Sequence, residues 1–230
     1  MTTFMLIHGA FQGGWIWKPF ATRLRAAGHL VFAPSLDGCG ERQAQLRPGI
    51  TNETQAEELA AFLHYEDLND VVVVGTSSGG MVAAKLAELA RDRIERLVFA
   101  DALALFDGEK IRDIVTRPSP VLTDIATGPK NEAMPARLRE NGVPEELVDW
   151  AAERFTLHPI GVFYEGVVLP RFWNQTWDAT VVFCRRAENP GVAHQRRCAD
   201  KLNARWHELD TGHYPMLSMP DALMKIVVEG

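Results

Sequence analysis

Four consecutive valines, Val71 to Val74, run straight into Gly75-Thr76-Ser77-Ser78-Gly79-Gly80 and then into an alanine-rich stretch. This succession restricts the fold more than any other feature of the chain. An unbroken β-branched run suits a strand buried on both faces, as in the middle of a parallel sheet. The small residues end it abruptly, and residues 80–90 take up helical spacing. Strand, tight turn and helix make half of a βαβ unit. The rest of the chain repeats the theme. Strand-like segments at 4–7, 30–33, 94–100, 180–184 and 204–209 alternate with helix-like segments at 17–27, 53–65 and 221–228. The order predicts an α/β chain: a mostly parallel sheet of about six strands with helices on both faces.

One stretch breaks the rhythm. Residues 108–178 hold no convincing buried strand, carry seven prolines, among them Pro118 and Pro120, and are rich in aromatics from Trp150 to Trp177. A short helix fits residues 144–153. The expectation is a small, helical cap inserted at 108–178 into a core made of 1–107 and 179–230. Loops at strand ends are where sites are built, and an insert there lies over them.

Composition narrows the function. The 24 Lys and Arg against 30 Asp and Glu leave a net charge of -6, which argues against nucleic acid as a partner. The apolar runs are far shorter than the ~20 residues of a membrane span. Three cysteines, Cys39, Cys184 and Cys198, are too few and too scattered for a disulfide framework or a zinc site. No metal and no cofactor are expected, and a cytoplasmic monomer or homodimer acting on a small-molecule substrate fits these features.

The chemistry centres on the Gly75 to Gly80 turn. In a G-x-S-x-G elbow, a strained strand-to-helix turn lifts one side chain out of the sheet, and the flanking positions must be small. That register makes Ser77 the nucleophile. The N–H of Ser78, at the start of a helix, can donate to an oxyanion. A serine hydroxyl needs a base at neutral pH. Of seven histidines, His213 sits in the loop between the last strand and the final helix, within Thr211-Gly212-His213-Tyr214-Pro215. His8-Gly9-Ala10 follows the first strand. There the His8 ring reads as a support for the loop, and the Ala10 N–H as a second oxyanion donor.

At this point the chain resembles the α/β-hydrolase superfamily, and within it the compact branch of methylesterases and hydroxynitrile lyases. The resemblance rests on residues 8–17 (HGAFQGGWIW), 38–42 (GCGER), the 75–80 turn, Asp101-Ala102 and residues 212–218 (GHYPMLS). It implies Ser77 as nucleophile, His213 as base, and Ala10 and Ser78 as backbone oxyanion donors. The lyases of this branch carry a threonine in the first loop and a lysine after the catalytic histidine. Gly9 and Tyr214 stand there, on the esterase side. The family's usual acid position, after the strand ending near Cys184, holds Ala187. Two carboxylates compete instead: Asp101, at the end of the strand beside the nucleophile strand, ahead of Glu188, one residue late. Phe11, Trp173 and Tyr214 are candidates for the substrate pocket.

The sequence therefore leads to a cofactor-free, carboxylesterase-like serine hydrolase that cleaves a small, largely apolar ester, with carbamates, amides or lactones as related substrates. Two alternatives stand beside it: a C–C lyase of the hydroxynitrile type, and a non-catalytic small-molecule-binding relative.

Overall fold

A computed structural model of the chain describes residues 1–115 and 121–229; Pro118 and Pro120 lie outside the described residues. Its main sheet uses β1 (Thr3–Ile7), β2 (Leu30–Phe32), β3 (Val71–Ser77), β4 (Ile94–Ala102), β8 (Ala179–Cys184) and β9 (Arg205–Leu209). Their order is β2-β1-β3-β4-β8-β9, and each neighbouring pair is parallel. The six segments expected from the sequence are thus the six strands. A second sheet joins β5 (Val121–Leu122), β6 (Ala126–Gly128) and β7 (His158–Pro159) antiparallel. The helices are α1 (Lys18–Ala26), α2 (Asn52–Tyr65), α3 (Gly79–Leu89), α4 (Ile111–Ile114), α5 (Met134–Glu140), α6 (Glu145–Ala152), α7 (Gly161–Tyr164), α8 (Val192–Leu202), α9 (Pro215–Ser218) and α10 (Pro220–Glu229).

Side chains alternate across a strand, so a continuous apolar run feeds two cores at once. Val71 and Val73 join Met5, Ile7, Leu97, Phe99 and Val181 on one face, where α2, α3 and α8 supply Leu59, Leu63, Met81, Leu86 and Leu202. Val72 and Val74 join Phe4, Leu6, Val98 and Val182 on the other, against Phe20 and Leu24 of α1 and Leu223 and Val227 of α10. All four valines are fully buried.

The stretch 108–178 departs from the expected helical cap and shares its apolar side chains with the sheet. It is not purely helical, since β5, β6 and β7 lie within it. Strands of two or three residues are too short to register as alternation. The β5–β6 turn is closed by the Thr123 hydroxyl, which accepts the Ala126 N–H at 3.0 Å. Nor does the stretch keep its apolar side chains to itself. Met134, Leu138, Val148 and Phe155 complete one sheet-face cluster, and Val162, Val167, Phe172, Trp173 and Trp177 complete the other. Glu88 of α3 ties the segment down, accepting the N–H groups of Arg171 and Phe172 at 2.8 Å each. Among the described residues, no helix is long and apolar enough to cross a membrane.

Candidate active site

The parallel strands deliver their C-terminal ends to one edge, and two of those ends are strained. Ser77 closes β3 with φ of 51°, and Asp101, near the end of β4, has φ of 48°. Non-glycine residues held there cost about 1–3 kcal/mol and persist where the surroundings over-determine them. At Ser77 the surroundings are glycines. A Cβ on Gly75 would meet the Gly79 carbonyl oxygen at 2.7 Å, and one on Gly79 would meet the His8 and Ile7 oxygens at 2.5 and 2.7 Å. These obstacles are backbone and cannot swing aside. Gly79→Ala is therefore expected to destabilise the fold by about 2–3 kcal/mol, read as a lowered Tm of the purified variant. An unchanged Tm would mean that the elbow is looser than its contacts indicate.

Asp101 owes its direction to a break in register. Thr76 pairs with Ala100, but Ser77 pairs with Ala102, so Asp101 is the extra residue of a bulge. A bulge re-aims a side chain. Here it turns a fully buried carboxylate toward the last loop, where Asp101 Oδ2 lies 2.5 Å from His213 Nδ1. The other oxygen, Oδ1, accepts Gln195 Nε2–H at 2.8 Å and the Cys184 N–H at 3.3 Å. A buried carboxylate is expensive unless its lone pairs are occupied, and three partners occupy these.

His213 is held from the far side by Asn141, at the end of α5, whose Oδ1 accepts the His213 N–H at 2.7 Å. The Asn141 carbonyl accepts the Gly212 N–H at 3.3 Å. The inserted segment thus helps to place the histidine loop. In the sequence, Asn141-Gly142 reads only as a helix stop.

Ser77, Ser78, Ala10, Phe11, His213 and Tyr214 line one cavity. The Ser77 hydroxyl and the His213 ring share it without a hydrogen bond between them, a resting geometry that commonly tightens when substrate arrives. Leu103, Ile111, Val115 and Phe163 give the cavity an apolar wall that the sequence did not single out. Phe11, at φ of 68°, stacks on Phe163 with ring centroids 5.6 Å apart.

Two candidates from the sequence take other places. Trp173 is not part of the cavity: it packs on Phe106 and Phe172 in the sheet-face core, and its indole N–H donates to the Leu105 carbonyl at 3.1 Å. Its neighbour Phe172 is drawn inward by Glu88, which takes the whole short helical turn into the core. Glu188 is exposed and lines an adjoining surface cleft with Arg137, Asn141 and His213. The carboxylate hydrogen-bonded to His213 Nδ1 is that of Asp101.

His8 is enclosed completely. Its Nε2 accepts the Leu36 N–H at 2.9 Å, which leaves Nδ1 to donate to the Gly9 carbonyl at 2.8 Å. Burial holds its pKa down at about 4, so the ring is neutral and acts as a strut for the oxyanion loop. Burial likewise lowers His158 to about 3 and His194 to about 4. Below an ordinary histidine pKa of 6.5, the unfolded chain gains protons that the native state refuses. Stability contributed by the neutral rings is intact above pH 6.5 and is lost as pH falls toward 4. Linkage makes His8 alone worth roughly 3 kcal/mol over that window. Thermal melts are expected to hold a steady Tm from pH 8 to 7 and to drop steeply below about 6, before most carboxylates titrate. A Tm that stays level down to pH 4 would contradict it.

Among the described residues, no group of three His, Cys, Asp or Glu side chains is arranged to hold a metal ion. The three cysteines are free and buried, and burial raises each thiol pKa.

Comparison with known proteins places this geometry in context. A model of the alpha/beta hydrolase family matches residues 4–226. A carbendazim hydrolyzing esterase from Nocardioides sp. (strain SG-4G) is 35% identical over 120 residues, which is 52% of this chain and 50% of that protein. An alpha-hydroxynitrile lyase from Arabidopsis thaliana is 33% identical over 100 residues, 43% of this chain and 39% of that protein. The matched segments thus span about half or less of these relatives' length. The solved structure of a methylesterase from Arabidopsis superposes with a TM-score of 0.80 at 20% identity, covering 100% of this chain and 98% of that one. At that identity the likeness is one of fold.

Proposed function

The chain belongs to the alpha/beta hydrolase family, and from that premise we propose that it is a serine esterase working through an acyl-enzyme on Ser77. The observation that carries this reading is the Asp101–His213 hydrogen bond at the rim of the cavity that also holds Ser77.

The steps follow from the side chains. Asp101 fixes Nδ1 of His213 as the protonated nitrogen, which leaves Nε2 to take the Ser77 proton. The Ser77 oxygen then adds to the substrate carbonyl. The N–H groups of Ala10 and Ser78 hold the resulting oxyanion, the second with the field of the α3 N-terminus behind it. His213 returns the proton to the departing alcohol. Water then enters, gives its proton to His213 and releases the acid, regenerating Ser77. No cofactor is needed. The wall of Leu103, Ile111, Val115 and Phe163 suits a short apolar acyl group, with Phe11 and Tyr214 completing the surround. Esters head the list of substrates, followed by carbamates, amides and lactones. Tyr214 stands where the lyases of this branch carry a lysine, which favours hydrolysis over the release of cyanide from a cyanohydrin.

A fluorophosphonate probe tests the assignment directly. The expected result is one covalent adduct per chain, mapped by mass spectrometry to Ser77. A folded protein that takes up no probe would overturn it and turn attention to ligand binding without turnover.

A further inference from the structure

We infer that Arg137 selects substrates whose leaving group carries an oxygen acceptor, a carboxylate being the strongest case. The inference rests on the reading of Ser77 and His213 as nucleophile and base. The catalytic cavity is small, about 80 Å³, and beside it lies a cleft of about 270 Å³. Arg137, Asn189 and His213 line both, and so form the boundary between them. The first cavity has room for a short acyl group and little more. Its apolar wall and the oxyanion donors belong to the acyl half of a substrate. The leaving alcohol takes its proton from His213, so it must lie on the His213 side, where the boundary opens into the cleft.

Among the described residues that cleft is lined by polar and charged side chains: Arg137, Glu140, Asn141, Arg186, Glu188 and Asn189 besides His213. Glu140 and Glu188 are exposed, so solvent screens them. Arg186 is engaged, donating to the Asp210 carbonyl at 2.7 Å and lying 3.7 Å from its carboxylate. Arg137 differs from all of these. It is half-buried, it faces the reacting centre, and its guanidinium makes no hydrogen bond or ion pair with any described residue. A guanidinium presents five donors in a rigid fork suited to a carboxylate or a carbonyl oxygen. No described residue occupies those donors, which leaves them to an incoming ligand. α5 holds the residue in place, because Asn141 Nδ2 donates to the Arg137 carbonyl at 2.8 Å while Asn141 Oδ1 holds the His213 loop. The base and the proposed selector thus share one anchor.

The test compares three butyrate esters, of phenol, 3-hydroxybenzamide and 3-hydroxybenzoate, on the parent and on Arg137→Met and Arg137→Lys. The readout is the ratio of kcat/KM for each substituted ester to that for the phenyl ester. Comparing proteins cancels the esters' own reactivities. The parent is expected to favour the carboxylate ester, and Arg137→Met to lower that ratio about tenfold or more, with Arg137→Lys in between. A parent without preference, or a preference that survives Arg137→Met, overturns the proposal. A preference for the amide over the carboxylate, lost in Arg137→Met, would keep Arg137 as selector and make the acceptor a neutral one.

Binding separates this proposal from the catalytic reading. On a Ser77→Ala background, calorimetric titration should show 3-hydroxybenzoate binding about tenfold or more tightly than phenol, and the difference should vanish when Arg137→Met is added. Discrimination in binding with no turnover by the parent would overturn the nucleophile and leave Arg137 standing. Turnover through Ser77 without discrimination would do the reverse.

Discussion

Ser77→Ala is expected to lower ester turnover by about four to six orders of magnitude, with the fold retained. The loss is that large because a water molecule cannot occupy the position of a tethered hydroxyl with comparable orientation. The readout is kcat for 4-nitrophenyl butyrate, together with far-UV circular dichroism and a thermal melt. A variant that keeps a tenth of the parent's turnover would remove Ser77 from the mechanism. The backbone adds a second arm. Ser77 sits at φ of 51°, where a Cβ is strained and glycine is not. Ser77→Gly should therefore be as inactive as Ser77→Ala and more stable than it by about 1 kcal/mol. If alanine proves the more stable, the left-handed geometry is not what shapes the elbow.

Asp101→Asn should lower kcat by about 10⁴-fold, and Glu188→Gln by no more than about threefold. The asymmetry follows from the partners. Gln195 Nε2–H and the Cys184 N–H both donate to Asp101 Oδ1. An asparagine at 101 satisfies them only by turning its carbonyl oxygen that way. Its amide group then faces His213 Nδ1 and donates to it. The imidazole is forced into the tautomer with the proton on Nε2, which cannot accept one from Ser77. Glu188 is exposed and outside this arrangement. Comparable losses in the two variants, or a larger loss in Glu188→Gln, would transfer the acid's role. A slow fluorophosphonate reaction with Asp101→Asn, still at Ser77, would locate the damage in activation of the nucleophile.

The parts of the site that were legible in the sequence are those whose cause lies within a few residues. A β-branched run, two obligatory small positions and a helix start are consecutive along the chain, so Ser77 and the Ser78 amide can be read without a fold. His213 needs only the order of the last strand, loop and helix. The acid could not be read this way. As a string of letters Asp101 stands ahead of Glu188, but nothing local excludes either. What separates them is a one-residue bulge between β3 and β4, which aims Asp101 at a ring 112 positions away. The aromatic pocket candidates divide for a similar reason. Phe11 and Phe163 meet across the cavity, whereas Trp173 follows Phe172 into the core because Glu88 captures the backbone there. β5, β6 and β7 stayed hidden because pairs of two or three residues carry no period.

Strand and helix order, the strained serine and the histidine loop were thus determined by the sequence itself, because periodicity, steric exclusion at glycine and chain order act locally. Tertiary structure decided which carboxylate meets His213, which aromatics line the cavity and where the Arg137 guanidinium stands. Those outcomes depend on the direction of side chains brought together from distant segments, and direction is set by register and packing.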